Sequence, residues 1–390
     1  MKLDERKERI LMAIVDEYVA NGQPVASKTL VQSHQFRLSS ATLRNEMAAL
    51  EQAGYLISPH TSAGRVPSDQ GYRAYVELLM RGASMQPLRL PWLMDRLRSE
   101  VFHLESFVEE SNRLLQQETG YIALMTSEPR RDERLEKLRF FMIEPGKILI
   151  LLVLKGGRLQ ERLSACHSHL HEKDLRRIQT CFEQAFQGQK LTAIAPQLCW
   201  DLLADQGFSV QILESLVSEF IACVGSALKR SRYLDGEFSL LKYPEFQDGH
   251  EAQRLYRWIS EEGAIEDYVE YEQNRREAEA LAFVREHGRR PCLQNAFQSC
   301  FVLKIGADLG FTGLDSCSLI ASRYGYGRKF SGSIIVLGPK RMDYGQVISR
   351  VAYLRLLLNE LLDEERLQME IGEGKTLVRA LLATGLSSKR

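Results

Sequence analysis

Residues 38 to 67 put a well-capped amphipathic helix directly ahead of a short strand and a polar hairpin, which leaves this stretch very few folds to choose from. Ser39 is a good N-cap, and Leu38 before it can pack on Leu43 as a hydrophobic staple, so the helix register is fixed. Leu43, Met47 and Leu50 stand at i, i+4 and i+7 and form the buried stripe. Ser40, Ala41, Arg44, Asn45 and Ala48 therefore turn outward. Gly54 ends the helix, Tyr55 to Ile57 reads as a strand, and residues 58 to 67, from Ser58-Pro59-His60 through Arg65-Val66-Pro67, read as a hairpin tip.

The flanking segments complete a small module. Ile10, Leu11, Ile14, Val15, Tyr18 and Val19 repeat at helical spacing until Asn21-Gly22 supplies a stop that favours left-handed backbone. Pro24 opens a second, short helix through about Gln32, and Ser68 caps a fourth that carries Tyr72, Arg73 and Tyr75. Helix, short helix, capped helix, strand and hairpin, in this order, is the pattern of a winged helix-turn-helix. Short hydroxyls, an Arg, an Asn and alanines on the outward face suit a helix seated in a major groove, because Arg grips guanine and Asn grips adenine bidentately while Ala permits close approach. Ser27, Lys28, Thr29, Ser39, Ser40, Thr42, Arg44 and Asn45 are the candidate DNA contacts of the helices. His60, Thr61, Ser62 and Arg65 are those of the wing, suited to phosphate or minor-groove contact. A protein-interaction module is the competing reading of three small helices and a hairpin.

Charge supports the nucleic-acid reading only through its placement. The whole chain is neutral, with 51 basic and 51 acidic residues. In the first 80 residues five acids (Asp4, Glu5, Glu8, Asp16, Glu17) lie in the first helix. From there to Tyr75, Lys28, Arg37, Arg44, Arg65 and Arg73 face only Glu46, Glu51 and Asp69, which is the segregation a duplex-facing surface requires.

At 390 residues the chain exceeds one ordinary domain, and 44% hydrophobic and 26% charged residues suit a soluble protein with real cores. The seven cysteines are odd in number, scattered and never spaced Cys-x-x-Cys, so neither a disulfide framework nor a zinc knuckle is indicated, and a reducing cytoplasm is expected. No apolar leader opens the sequence, and the longest aliphatic run, Ile148 to Leu154, is far short of a membrane helix. Cys166-His167-Ser168-His169-Leu170-His171 resembles a metal cluster, but its alternate spacing after a strand spreads the side chains over mixed faces. Gly325-x-Gly327 fits a hairpin rather than a nucleotide loop, and no nucleophile, base and orienting group come together. No metal, cofactor or enzymatic activity is expected.

Beyond a linker punctuated by Gly82, Pro87 and Pro91, Leu93 to Gln117 reads as a long amphipathic helix leading into the apolar stretch Tyr121 to Met125. Residues 130 to 139 are a charge-rich, solvated junction. Strands follow at Leu138 to Ile143, Ile148 to Leu154 and Leu159 to Ala165, the first turn being Glu144-Pro145-Gly146-Lys147 with Pro and Gly placed for type II geometry. Helical patterns at Glu172 to Phe186, Ala193 to Ala204 and Val210 to Lys229 can cover one face of this meander. A further strand is expected at Phe238 to Lys242, then charged helices from about Glu251 to His287. Strands at Ser299 to Gly306, Asp315 to Tyr324 and Phe330 to Leu337 precede a closing helix from Met342 to Leu362.

Three runs of the head, Pro24-Val25-Ala26-Ser27-Lys28-Thr29-Leu30, Leu38 to Met47 and Pro59 to Pro67, together resemble the HrcA family of heat-inducible transcription repressors. The resemblance resumes in Asp315 to Ser322, Gly332 to Pro339 and Arg341 to Ser349, and departs from the family at Gly306-Ala307-Asp308-Leu309-Gly310, where a Gly-x-Glu-Asn-like segment is usual. It implies an α+β chain whose winged helix-turn-helix (1–82) precedes a GAF-like domain (92–136 and 230–363) interrupted by an inserted α+β dimerisation domain (137–229), with a C-terminal tail at 364–390. It also implies a homodimer on a CIRCE-like inverted-repeat operator upstream of groE- and dnaK-type chaperone operons, and an activity supported by GroEL chaperonin. An IclR-like repressor with a small-molecule effector in the GAF-like domain is the alternative. The segment Ile371 to Arg390 carries Lys375, Arg379, Lys389 and Arg390 against Glu373, a net charge of four minus one, or +3, which suits either phosphate contact or docking on the body.

Overall fold

The computed structural model describes residues 3–33, 36, 38–59, 64–82, 104–128, 133–155, 158–166, 170–247, 249–261, 263–287, 300–311, 313–325 and 331–371. The chain divides into two compact units, one formed by Met1–Thr126, Tyr233–Tyr324 and Gly332–Arg390, the other by Ser127–Arg232 with Gly325–Ser331.

The first unit opens with α1 (Glu5–Asn21), α2 (Ser27–Ser33), α3 (Ser40–Gln52), β1 (Leu56–Ile57), β2 (Val66–Pro67) and α4 (Asp69–Gly82). The stops and caps at Gly22 and Ser68 work as their chemistry requires, whereas Pro24 does not open α2: it stands ahead of the Val25–Arg65 bridge, and the helix starts only at Ser27. Gly22 ends α1 in the left-handed region at φ 66°, where its N–H reaches the Tyr18 carbonyl, and the Ser68 hydroxyl accepts from the Gly71 N–H at 3.0 Å to start α4. Ile10, Leu11, Ile14, Leu30, Leu43 and Leu50 fill the core between the helices. One expectation needs correcting: Val66 and Pro67 are not part of the hairpin tip but its return strand, pairing with Ile57 and Leu56. A two-stranded ladder has only edges, so a proline without an N–H is tolerated there.

Further along the chain come α5 (Leu104–Thr119) and β3 (Ile122–Ser127), then β4 (Leu135–Glu144), β5 (Lys147–Leu154) and β6 (Leu159–Ala165). Helices α6 (Glu172–Phe186), α7 (Pro196–Leu203) and α8 (Val210–Ala227) follow, with β7 (Ser231–Asp235), α9 (Gly249–Ser260) and α10 (Ala264–His287) after them. Strands β8 (Phe301–Ile305), β9 (Cys317–Tyr324) and β10 (Gly332–Pro339) lead into α11 (Tyr344–Ile371). The large sheet of the first unit has the order β7-β3-β10-β9-β8. Its central strands are buried along nearly their whole length, as expected of a sheet covered on both faces, with α11 packed on β9 and α10 on β8.

Two sequence expectations fail in this unit. The segment Phe238 to Lys242 is not a strand: Ser239–Lys242 is a 3-10 turn, set up by Gly236 at φ 80°, with Leu240 buried between exposed Phe238 and Leu241. The strand lies just upstream at Ser231–Asp235, an edge strand half-buried at every position, whose alternation is too weak to stand out. The closing helix also runs on past Leu362 to Ile371. The early turns of the helix expected from Leu93, the linker at 83–91 and the basic segment at 372–390 lie outside the described residues.

In the second unit β4, β5 and β6 form the expected antiparallel meander, and Gly146 takes φ 88° in the turn between the first two strands. Leu138, Phe140, Ile148, Ile150, Leu152 and Leu154 point inward against Phe182, Phe186 and Phe220, whose rings stack and tilt on one another at 4.8 to 6.1 Å. The helix expected at 193 to 204 is divided into a 3-10 turn, Leu191–Ala193, and α7, because Pro196 forces the residue before it into extended backbone. Helix α8 is long and apolar enough to cross a membrane by composition, but Leu213, Leu216, Val217, Phe220, Cys223, Val224 and Ala227 are buried in this core.

Candidate nucleic-acid interface

The N-terminus of α3 is built as its sequence demands. The Ser39 hydroxyl accepts from the Thr42 N–H at 3.1 Å and shares a hydrogen bond with the Thr42 hydroxyl at 2.9 Å, so both hydroxyls are engaged in capping. Leu43, Met47 and Leu50 are buried, while Ala41, Arg44 and Asn45 are exposed on the opposite side. The one acid beside them, Glu46, lies between Arg6 at 3.6 Å and Lys7 at 3.4 Å on α1. Its charge is thereby neutralised from behind, and the field along the outer face of α3 is left to Arg44.

The other candidates separate into outward-facing and internal groups. Lys28 is exposed on α2 and Thr29 half-buried, its carbonyl accepting from the Ser33 hydroxyl at 2.9 Å. Ser27 is buried, and its hydroxyl meets that of Ser40 at 2.9 Å, joining α2 to α3. Arg65 sits at the root of the β1–β2 hairpin. Its backbone exchanges both hydrogen bonds with Val25, at 2.8 and 2.9 Å, and its guanidinium is 2.8 Å from Glu51 on α3. Gly64 is obligatory next to it, since a Cβ there would stand 2.4 Å from the Val25 carbonyl oxygen. His60, Thr61 and Ser62 lie outside the described residues. Arg73, counted by sequence with the duplex-facing charges, instead grips Asp308 through Nη1 at 2.6 and 2.7 Å, so it faces the body of the first unit. Lys28 and Arg44 are the exposed cations of α2 and α3 with no acidic partner among the described residues.

Sequence reasoning missed the neutralisation of Glu46, which needs two side chains about forty residues away, and the exposure of Ile57 on β1. The second has a signal in hindsight, since a two-residue strand with one buried face must expose its alternate residue.

The remaining chemistry is quiet. Among the described residues no cluster of three or more His, Cys, Asp and Glu side chains is placed to hold a metal. Burial pushes the Cys199 thiol up to about 12 and Cys223 up to about 11, far from a reactive thiolate.

Residues 105–348 match the family described as HrcA protein C terminal domain. The chain belongs to the HrcA family. Its curated relatives are similar along almost their whole length. The heat-inducible transcription repressor HrcA of Acetivibrio thermocellus is 28% identical over 360 residues, covering 92% of this chain and 96% of the relative. That of Lachnoclostridium phytofermentans is 29% identical over 371 residues, covering 94% and 99%. A crystal structure of a hypothetical protein superposes with a TM-score of 0.64 at 20% identity, over 92% of this chain and 98% of the other, and so shares the fold. Membership of the HrcA family makes the chain a transcription repressor of the heat-shock response rather than an enzyme.

Proposed function

We propose that this HrcA-family repressor binds an inverted-repeat, CIRCE-like operator as a homodimer in the cytoplasm, reading each half-site with a winged helix-turn-helix at 1–82. The observation that carries the reading is the outer face of α3, where Arg44 and Asn45 stand exposed beside a neutralised Glu46. Lys28 and Thr29 on α2, Ser39, Ser40 and Thr42 at the start of α3, and the wing residues His60, Thr61 and Ser62 complete the candidate contacts. Ser27 and Arg65 support this surface from inside, by holding α2 and the wing to α3.

We read the rest of the chain as a GAF-like domain (92–136 and 230–363) interrupted by a dimerisation domain (137–229) and followed by a tail (364–390), although the compact unit around the insert begins earlier, at Ser127. Dimerisation through the insert has a physical basis in its outer sheet face. On β6 the usual polarity is largely inverted: Gln160, Arg162 and Ser164 point inward while Leu159 and Leu163, 61% and 64% exposed, point outward on either side of Glu161. Phe141 and Ile143 on β4 extend the same face at 45% and 57%. Apolar rows of this kind are the mark of a surface that a second chain covers. The chaperone operons of groE and dnaK type are the targets, and GroEL chaperonin supports the DNA-competent form.

The test is footprinting on chaperone promoters of the same organism, with and without GroEL, alongside sedimentation of the protein. Protection of two symmetric half-sites by a dimer, extended by GroEL, is the expected result. Protection of a single half-site, or binding indifferent to sequence, contradicts the reading.

A further inference from the structure

The head is joined to the rest of its unit by residues 83–103, and 21 residues can span at most about 70 Å, so connectivity alone leaves its orientation open. What fixes it is a set of contacts made by α4. Tyr72 and Tyr75 lie against Tyr344 at the start of α11, with ring centroids 5.7 and 6.5 Å apart, and all three side chains are buried. Around this aromatic anchor the polar contacts are directional. Asp69, in the first turn of α4 and two residues from the wing strand, accepts from Lys340 Nζ at 2.8 Å and from the Ala307 N–H at 3.2 Å. Arg73, one turn later, is the residue that grips Asp308.

The body side is shaped for this. Gly306 has φ 56°, and a Cβ there would stand 2.3 Å from the Asp69 carboxylate, so only glycine lets the loop close on α4. The next residue after Lys340, Arg341, is held by Glu245 at 2.5 Å, with its guanidinium over the Tyr243 ring and 3.1 Å from where a Cβ of Gly22 would lie. The loop at 306–310, where the sequence departs from the familiar HrcA pattern, is thus the seat of the head.

We propose that Asp69, Arg73, Asp308 and Lys340 are positioning residues that set the spacing this repressor accepts between its two half-sites. The proposal rests on the reading of the protein as a dimer on an inverted repeat. None of the four belongs to α3, and their charges cancel in pairs, so they add neither base contacts nor a net attraction for phosphate. Their effect is geometric: a head seated in one orientation carries the geometry of the body to the duplex, where half-sites one helical turn apart must both be met. A head held only by its connecting chain would accept many spacings.

The experiment uses full-length protein and four duplexes: the operator with its natural spacer, operators with the spacer changed by about 5 and about 10 base pairs, and a single half-site. Wild type should favour the natural spacer. Asp308→Arg should reduce that preference by about fivefold, the scale expected for part-exposed ion pairs, while half-site affinity stays the same. Combining it with Arg73→Asp should restore the preference. Gly306→Ala, which drives the Asp69 carboxylate off its seat, gives a second route to the same loss if Asp308→Arg does not fold. An unchanged preference in the folded variants overturns the proposal, as does an equal fall in half-site and operator affinity. A wild-type protein indifferent to spacing would instead overturn the inverted-repeat reading itself.

Discussion

In the head, the side chains that point away from the core of α3 are Ala41, Arg44 and Asn45, while in the inserted sheet Phe141, Ile143, Leu159 and Leu163 stand exposed beside charged residues such as Arg139 and Glu161. Both regions bury an apolar stripe according to the period of their backbone, and they differ in what they leave outside. A small core of aliphatic side chains leaves the head with a polar outer face suited to a polyanion. The insert has a core of stacked phenylalanines and still keeps apolar residues on its far side, more than its own helices can cover. On the proposed reading, two binding tasks, one for DNA and one for a second chain, fall to regions that need share no residue.

The comparison is broken most directly in the insert. Phe220 touches the rings of Phe140, Phe182 and Phe186, so Phe220→Ala should destabilise the second unit by about 3 to 5 kcal/mol, seen in denaturant unfolding as an early transition. A single shifted transition for the whole chain would show that the units do not unfold separately. Leu163→Glu should leave folding intact but raise the dimer dissociation constant about 30-fold or more, measured by sedimentation equilibrium. An unchanged dimer would remove the outer sheet face from the interface. In the head, Ser39→Ala should cost about 1 kcal/mol through the lost cap, read from the unfolding midpoint.

The smallest effect belongs to Glu219, whose carboxylate is held below its usual range by hydrogen bonds from Arg162 and Ser164 on β6. A depressed folded pKa adds stability that is present above the unfolded value and lost as pH falls through the folded one. Because the pair is partly exposed, Glu219→Gln should cost only about 0.5 kcal/mol at neutral pH, and the difference from wild type should vanish in acid. A difference that grows as pH falls would assign the wrong sign to this interaction.

How far these features were legible depended on the range of the interactions behind them. The capped helix at Ser39, the stop at Gly22, the turn at Gly146 and the span of β5 are decided within a few residues, and the sequence alone located them. The strand at Ser231–Asp235 was missed because an edge position in a mixed sheet imposes little alternation. Arg73 was placed on the wrong partner because its acid, Asp308, is 235 residues away, and local charge counting cannot see it. The same blindness applies to Glu51 with Arg65 and to Glu46 with Arg6 and Lys7, where ion pairs decide which cations remain for DNA.

The account stands most squarely on the outer face of α3. Its direct test is quantitative binding of wild type, Arg44→Ala and Asn45→Ala to the operator and to a scrambled duplex at one salt concentration. Each substitution should cost about 1 to 3 kcal/mol of operator binding and leave binding to the scrambled duplex nearly unchanged, so that discrimination collapses. Wild-type discrimination in both variants would contradict the assignment of α3 as the reading helix.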